Sequence, residues 1–181
     1  MQSTKKMPLF IITGASGVGK STISEILFRK EEKYIVLESD LLWNDIYNTP
    51  ENDYREYRKM WLKICASISQ IGMPVVLCGC VTPKQFEYIE ERTYFSEIYY
   101  LAIVCNENSL VSRMKNGRHI MDQTWINDSI AFNEWLKENY YLTNPKIQIL
   151  DNTDFTLVET ADIVDQWICE RLINKKTLEN V

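Results

Sequence analysis

The stretch Leu9-Phe-Ile-Ile-Thr-Gly-Ala-Ser-Gly-Val-Gly-Lys-Ser-Thr22 indicates the fold of the whole chain. It fits the pattern G-x-x-x-x-G-K-S/T. The residues at the required places are Gly14, Gly19, Lys20 and Ser21. An apolar run lies before the pattern, and a helix-compatible run lies after it. Since a phosphate-binding loop is a turn between a buried strand and a helix N-terminus, this context predicts such a loop.

The backbone of such a loop supplies the chemistry of phosphate binding. Glycines allow successive N–H groups to point inward as an anion-binding nest, and the positive end of the following helix dipole adds to the attraction. Lys20 can bridge the outer phosphates, and the Ser21 hydroxyl can ligate Mg²⁺. The alternative is a glycine-rich turn that binds no ligand. The residues predicted to bind a nucleotide are Gly14, Ala15, Ser16, Gly17, Val18, Gly19, Lys20, Ser21 and Thr22.

Length and composition limit the class of protein. The 181 residues are 45% hydrophobic and 25% charged, which is ordinary for a globular protein, so we expect one domain over 1–181. The net charge of −5 argues against bulk electrostatic binding of nucleic acid. We expect neither a signal peptide nor a membrane span, because no apolar run is suited to either. The five cysteines lack C-x-x-C spacing, so a cytoplasmic protein with reduced thiols is expected. We also expect a monomer or a homodimer.

Strands and helices are predicted to alternate along the chain. The predicted strands are Leu9–Ile12, Tyr34–Glu38, Pro74–Cys78, Ile98–Val104 and Ile147–Leu150. Helices are predicted over 22–30, 40–47, 51–70, 106–115, 122–140 and 156–172, and another begins at Thr82-Pro83. The strands are apolar throughout, which favours a three-layer α/β fold with a parallel sheet between helices. Ligands of such sheets bind at the carboxyl ends of the strands, where Gly14, Asp40, Gly79, Asn106 and Asp151 lie.

Four pieces of sequence carry a resemblance to a known family. They are Gly14-Ala-Ser-Gly-Val-Gly-Lys-Ser21, Glu38-Ser-Asp40, Leu110-x-x-Arg113 to Arg118, and Leu150-Asp-Asn-Thr153. With them the chain resembles the P-loop small-molecule kinases, which include nucleotide, shikimate, gluconate and antibiotic kinases and are sometimes grouped with AAA-type ATPases. The resemblance implies the P-loop strand order 2-3-1-4-5, ATP and Mg²⁺ as cofactors, and a small-molecule acceptor. It also implies an acceptor-binding helical segment at about 41–72 and a short lid at about 113–124.

Asp40 is the acidic residue that the resemblance makes most informative. A carboxylate at this position can accept the proton of an attacking hydroxyl, or it can hold Mg²⁺ through water. The alternative is a cap of the next helix. The third predicted strand ends in Leu77-Cys-Gly-Cys80, without the acidic residue that many P-loop enzymes use for the metal. The roles of Asp40 as base and as metal ligand therefore stay open.

Two arginines and an aspartate complete the predicted nucleotide site. By position, Arg113 resembles the arginine that stacks on adenine, and Arg118 resembles the lid arginine that closes on the transferring phosphate. The alternative for both is a solvated cation at a helix end. Asp151 lies in the loop that contacts adenine in the family, and an Asx turn is the simpler reading of its side chain.

The acceptor pocket is predicted from residues 40–58 together with Gly79 and Cys80. Its aromatic and polar candidates are Trp43, Asn44, Tyr47, Tyr54, Tyr57 and Trp61, with Arg55, Arg58 and Arg92 nearby in sequence. Aromatic residues at helical spacing are more often core than ligand platform, although a ring can bind between them. A buried bend explains Gly79 as well as a close approach of substrate does.

The sequence thus predicts an ATP-dependent kinase acting on a small metabolite, with a nucleoside or nucleotide as the first candidate. Lys20, Asp40 and Arg118 are the predicted catalytic residues, and Ser21 and Asp40 are the predicted metal ligands. The alternative is a regulatory P-loop module or ATPase without a phosphoryl acceptor. A sealed or absent cavity beside the loop would favour that module.

Overall fold

The computed structural model describes residues 6–30, 33–42 and 49–178, with side chains described as far as residue 173. Its strands are β1 (Leu9–Thr13), β2 (Ile35–Glu38), β3 (Val75–Cys78), β4 (Ile98–Val104) and β5 (Ile147–Asp151). Its α-helices are α1 (Lys20–Lys30), α2 (Arg55–Ser69), α3 (Glu107–Ser112), α4 (Gln123–Asn139) and α5 (Leu157–Leu178).

The strands form one parallel sheet in the order β2-β3-β1-β4-β5, which confirms the predicted topology. In the centre of the sheet, Ile12 pairs with Cys78 of β3 and Thr13 pairs with Ala102 of β4. All strands therefore end at the same edge. The segments that follow β1, β2, β3 and β4, together with the last residue of β5, carry the residues predicted for the site.

The central strand β1 is buried on both sides because helices cover both faces of the sheet. Phe10 and Ile12 face a core that contains residues of α1 and α5, whereas Leu9 and Ile11 face a core that contains residues of α2. This alternation is the two-residue period of a strand. A buried central strand fits the continuous apolar run from which it was predicted.

Helix α2 begins four residues later than predicted. A 3₁₀ turn at Pro50–Asn52 is followed by Asp53 and Tyr54, each with a φ of 55°. Left-handed backbone is uncommon for non-glycine residues and cannot continue a right-handed helix, so α2 starts at Arg55. The buried residues of α2 recur at helical spacing and include Tyr57, Arg58 and Trp61.

Two other predicted helices differ from the structure. The helix expected from Thr82-Pro83 is wrong, because the chain forms short 3₁₀ turns at Pro83–Phe86 and Glu90–Tyr94 with an extended Ile89 between them. These turns bury Phe86, Ile89 and Phe95 against the α2 side of the sheet. In place of the start of the predicted helix 40–47, the structure has a 3₁₀ turn at Ser39–Leu42, and residues 43–47 lie outside the described residues.

Helix α3 is also shorter than predicted, since it passes into a π-helical turn at Arg113–Gly117. Such turns occur often at functional sites. None of the helices in the described part of the chain is long and apolar enough to cross a membrane.

Candidate active site

The loop between β1 and α1 packs closely against its neighbours, which explains two of its glycines. Gly14 has a φ of 150°, and a Cβ there would lie 2.5 Å from the carbonyl oxygen of Ile103. Gly19 has a φ of 102°, and its Cβ would lie 2.4 Å from a methyl group of Leu157. A side chain at Gly14 would displace the loop from the backbone of β4, whereas at Gly19 the Leu157 side chain would have to shift and the positive φ would itself be strained. The glycines therefore hold the loop at the sheet edge as well as shaping its turns.

A cleft of about 320 Å³ opens beside this loop. The Lys20 ammonium lies against the loop itself, where it donates to the carbonyl oxygens of Gly14 at 2.7 Å and Ala15 at 2.9 Å. Ser21 and Thr22 are exposed toward the cleft at the start of α1. The cleft is lined by Ser16, Gly17, Gly19, Lys20, Ser21, Thr22, Asp40, Cys80, Arg113, Gly117, Arg118 and Leu157. Ala15 and Val18, also predicted for the nucleotide, have side chains buried in the core behind the loop.

Both predicted arginines reach this cleft from the π-helical turn and the residue after it. Arg118 donates to the Ser16 hydroxyl at 2.7 Å, and its guanidinium carbon lies 5.9 Å from the ring centre of Trp125. Arg113 donates to the side-chain oxygen of Asn152 at 2.9 Å and to its carbonyl oxygen at 3.2 Å. The tertiary structure thus places two cations beside the phosphate loop, where anionic groups would be attracted.

Asp151 lies apart from the cleft lining and forms a local turn. Its carboxylate accepts from the backbone N–H of Thr153 at 2.9 Å and from the Thr153 hydroxyl at 2.6 Å. This is the Asx turn that the sequence suggested as the simpler reading. Contact between adenine and the backbone of this loop remains a prediction.

Asn152 is a site residue that sequence reasoning passed over. Its side chain is fully buried and donates to the carbonyl oxygen of Val18 at 3.0 Å while accepting from Arg113. It connects β5, the phosphate loop and Arg113. The available signal was an asparagine beside Asp151 in a motif already quoted, but burial of its amide is visible only in three dimensions.

A second cavity, of about 200 Å³, adjoins the first. It is lined by Ser39, Asp40, Tyr54, Tyr57, Arg58, Trp61, Leu77, Gly79, Cys80, Val81 and Phe86. Asp40 and Cys80 line both cavities, so they form the wall that the two share. We call the second cavity the aromatic pocket. A Cβ on Gly79 would lie 2.3 Å from the Ser39 hydroxyl, so packing against Ser39 accounts for this glycine.

The Ser39 carbonyl oxygen fixes two aromatic walls of the pocket. It accepts hydrogen bonds from the Tyr57 hydroxyl and, at 3.0 Å, from the indole N–H of Trp61. Burial raises the pKa of the Tyr57 phenol, and the hydrogen bonds at Ser39 and Trp61 oppose that rise. The phenol therefore stays protonated and donates to Ser39.

Arg58 is a buried cation at the edge of the aromatic pocket. Its guanidinium nitrogen lies 3.2 Å from a carboxylate oxygen of Asp53, and its guanidinium carbon lies 5.6 Å from the ring centre of Tyr54. Burial lowers the pKa of Arg58, and the charge of Asp53 opposes this shift. Both of these partners of Arg58, Asp53 and Tyr54, have left-handed backbone, so this unusual turn places groups that surround the cation.

The other residues predicted for the acceptor pocket either lie outside its lining or fall outside the described residues. Arg55 and Arg92 do not line the aromatic pocket, and Arg92 donates instead to the carbonyl oxygen of Glu87. Trp43, Asn44 and Tyr47 lie outside the described residues. The walls supplied by Leu77, Val81 and Phe86 were not predicted as site residues. Their apolar side chains carry no signal that distinguishes a pocket wall from core.

Comparison with known proteins gives the family. A family model described as an AAA domain matches residues 11–131, which is more than half of the chain. The chain belongs to this AAA-domain family. The search of curated proteins found no match.

Solved structures similar to this AAA-domain chain include several small-molecule kinases. A gluconokinase from Sinorhizobium meliloti 1021 has a TM-score of 0.60 at 18% identity, covering 94% of this chain and 99% of that one. A shikimate kinase from Acinetobacter baumannii, in complex with shikimate, has a TM-score of 0.59 at 13% identity, covering 93% and 96%. The tunicamycin resistance protein of Deinococcus radiodurans has a TM-score of 0.62 at 14% identity, covering 90% and 96%. These likenesses show a P-loop kinase fold.

Proposed function

We propose that this protein transfers the γ-phosphoryl group of ATP to a hydroxyl group of a small metabolite, with a nucleoside or nucleotide as the first candidate. One observation carries the proposal. Asp40 lies in the wall shared by the phosphate-loop cleft and the aromatic pocket. A hydroxyl held in the pocket and a phosphate held by the loop would meet at this carboxylate.

The proposed step is an in-line displacement at the γ-phosphorus. The hydroxyl oxygen of the acceptor forms a bond to phosphorus, the bond to the β–γ bridging oxygen breaks, and ADP leaves with that electron pair. Asp40 accepts the proton of the hydroxyl. Because the reaction needs little covalent participation by the protein, its rate depends on positioning and on stabilisation of negative charge.

Cations and backbone N–H groups around the cleft would supply that stabilisation. Lys20 exchanges its two loop carbonyl oxygens for phosphate oxygens, and Arg118 reaches the transferring group from the lid at 113–124. Arg113 and the loop at Asp151 face the adenine end. The contact between Arg118 and Ser16 supports this assignment, since it already places a guanidinium over the phosphate loop.

The donor set beside the loop fits Mg²⁺. The Ser21 hydroxyl and the Asp40 carboxylate line the same cleft and are oxygen ligands, which this hard cation prefers. Together with phosphate oxygens and water they would complete its coordination. When bound, the ion would neutralise charge on the phosphates.

The open aromatic pocket argues against the alternative of a nucleotide-binding module without an acceptor. Such a module has no use for a cavity next to its phosphates. In this chain the cavity is present and shares Asp40 with the nucleotide cleft.

A screen of candidate acceptors for ADP production by the purified protein tests the proposal. We expect one or more hydroxyl compounds to stimulate ADP formation well above the rate with ATP and Mg²⁺ alone. Lys20→Ala should abolish that turnover while the circular dichroism spectrum matches wild type. Lys146→Ala, which removes an exposed lysine remote from the cleft lining, is the matched control. ATP binding without stimulation by any acceptor would indicate the module instead, and full turnover by Lys20→Ala would refute the mechanism.

A further inference from the structure

We propose that the acceptor of this protein is a neutral molecule with a flat ring, and that the aromatic pocket selects it over polyols and over anions. The inference rests on the proposed function, because it assumes that the pocket beside the phosphate loop holds the acceptor. It adds the chemical class that the pocket would select.

The lining of the aromatic pocket is mostly apolar. Among the described residues, the side chains that contribute rings or branched aliphatic groups are Tyr54, Tyr57, Trp61, Leu77, Val81 and Phe86. The volume of about 200 Å³ suits one ring system, since an engineered apolar cavity of about 150 Å³ holds benzene. Offset or edge-on contact between flat rings adds to the gain from burying apolar surface.

The polar atoms of two of these aromatic walls donate hydrogen bonds within the protein. The Tyr57 hydroxyl and the Trp61 N–H both donate to the carbonyl oxygen of Ser39. A polyol entering the pocket would lose hydrogen bonds to water and find few replacements, which is costly for every buried hydroxyl. One hydroxyl can be satisfied by Asp40, and that is the hydroxyl that would react.

The charges around the pocket disfavour an anionic acceptor. Arg58 is the cation among the described lining residues, and Asp53 balances its charge at 3.2 Å. Asp40 adds a negative charge at the opening toward the loop. A carboxylate or phosphate on the acceptor would have to displace Asp53 from Arg58 and would be repelled by Asp40. A neutral ring meets neither cost.

A panel of compounds that differ in one property tests this class. Thymidine, adenosine and pyridoxine supply a ring and a hydroxyl; 2-deoxyribose and sorbitol supply hydroxyls without a flat ring; thymidine 5′-monophosphate and gluconate add charge. Binding to the wild-type protein is measured by calorimetry without ATP, and ADP production is measured with ATP and Mg²⁺. We expect at least one neutral ring compound to bind ten times or more tightly than every polyol and every anion.

The two readouts separate this inference from the proposed function. Preferential binding of a ring compound without ADP production by any acceptor would support the ring selectivity of the aromatic pocket and reject the kinase. ADP production that is greatest with gluconate, a polyol or the monophosphate would support the kinase and overturn the inference. Absence of binding by every ring compound would also overturn it.

A matched pair of variants locates the binding within the molecule. Phe86→Leu removes a ring from the pocket wall, whereas Phe95→Leu removes an equally buried ring from the same core outside the pocket lining. Phe86→Leu should weaken binding of the preferred ring compound about fivefold or more, with ATP affinity unchanged. Phe95→Leu should change both affinities less than about twofold. Equal weakening by the two variants would assign the effect to the core and reject the aromatic pocket as the binding site. If Phe86→Leu does not fold, the wild-type panel decides the question.

Discussion

Asn152 is a fully buried side chain that connects the phosphate loop to Arg113. Asn152→Ala removes the side-chain hydrogen bonds to the Val18 carbonyl oxygen and from Arg113, while Arg113 keeps its hydrogen bond to the backbone carbonyl oxygen of residue 152. We expect the free energy of unfolding to fall by about 1–3 kcal/mol, the cost of buried polar groups left unpaired. We also expect KM for ATP to rise, because the loop loses this anchor and Arg113 loses one of its two hydrogen bonds to residue 152. Urea unfolding and steady-state kinetics measure the two effects.

Asn133 offers a matched control for this variant. It is equally buried, but its amide bonds to the backbone N–H and carbonyl oxygen of Cys105, between β4 and α4. Asn133→Ala should therefore lower stability while KM for ATP stays close to the wild-type value. If both variants raise KM to the same degree, Asn152 has no specific role in positioning the nucleotide site.

Asp40 has three possible roles, and one variant distinguishes them. If Asp40 is the base, Asp40→Asn should lower phosphoryl transfer by roughly 10²-fold or more, with ATP affinity hardly changed. If it orders the metal's water shell, activity should partly return at high Mg²⁺ concentration. If it only caps a turn, stability should fall by about 1 kcal/mol or less with near-normal turnover, since asparagine also caps. Normal kinetics would remove Asp40 from the active site.

The first turn of α5 supports the phosphate loop from below. Leu157 lies under Gly19, and the preceding Thr156 forms a reciprocal cap with Glu159. The Glu159 carboxylate accepts from the backbone N–H and the hydroxyl of Thr156, both at 2.8 Å. These hydrogen bonds lower the pKa of Glu159 below its ordinary value of 4.5. The cap at the start of α5 therefore depends on the charge of a titrating group.

The pH dependence of stability tests this cap. Because the folded-state pKa is lower than the unfolded-state pKa, the stabilisation is complete above about pH 4.5 and is lost as the pH falls through the folded-state pKa. Glu159→Gln can keep the cap but cannot titrate. We expect the variant to lose less stability than wild type between pH 7 and pH 3, measured as the urea midpoint. Asp128→Asn, on the exposed side of α4, should follow wild type. Identical curves for Glu159→Gln and wild type would contradict the prediction.

The two cavities meet at Cys80, so a group attached there should affect both. Cys80 is exposed, whereas Cys65 and Cys78 are buried, and burial raises the pKa of each of these thiols to about 12. Reaction with N-ethylmaleimide should therefore occur mainly at Cys80. We expect the adduct to abolish turnover and to weaken both ATP and acceptor binding, because Cys80 lines both cavities.

Mass spectrometry and protection by ATP check this prediction. Saturating ATP should slow the modification, and the Cys80→Ser protein should keep its own starting activity after the same treatment. Loss of activity in Cys80→Ser would assign the effect to another thiol, such as the half-buried Cys169. An adduct at Cys80 that leaves ATP binding intact would show that the two cavities do not share this wall in solution.

Local sequence was sufficient to predict the strands, the phosphate loop and the parallel sheet. Apolar runs, glycine spacing and the strand–loop–helix order are properties of neighbouring residues, so they can be read without the fold. The same reasoning placed Gly14 and Asp40 at the carboxyl edge of the sheet, since parallel strands end together. The strand order itself came from the family resemblance and is confirmed by the strand pairing.

The partners of individual side chains were decided only by the tertiary structure. Arg58 lines the aromatic pocket while Arg55 and Arg92 do not, because the packing of α2 and of the turns after β3 determines which side chains face inward. The 3₁₀ turns after Thr82 replaced an expected helix for the same reason, as Phe86, Ile89 and Phe95 bury against the sheet. Asn152 became a link between loop and strand through contacts more than a hundred residues apart in sequence. Such contacts depend on how whole elements pack, and no local pattern of residue types encodes them.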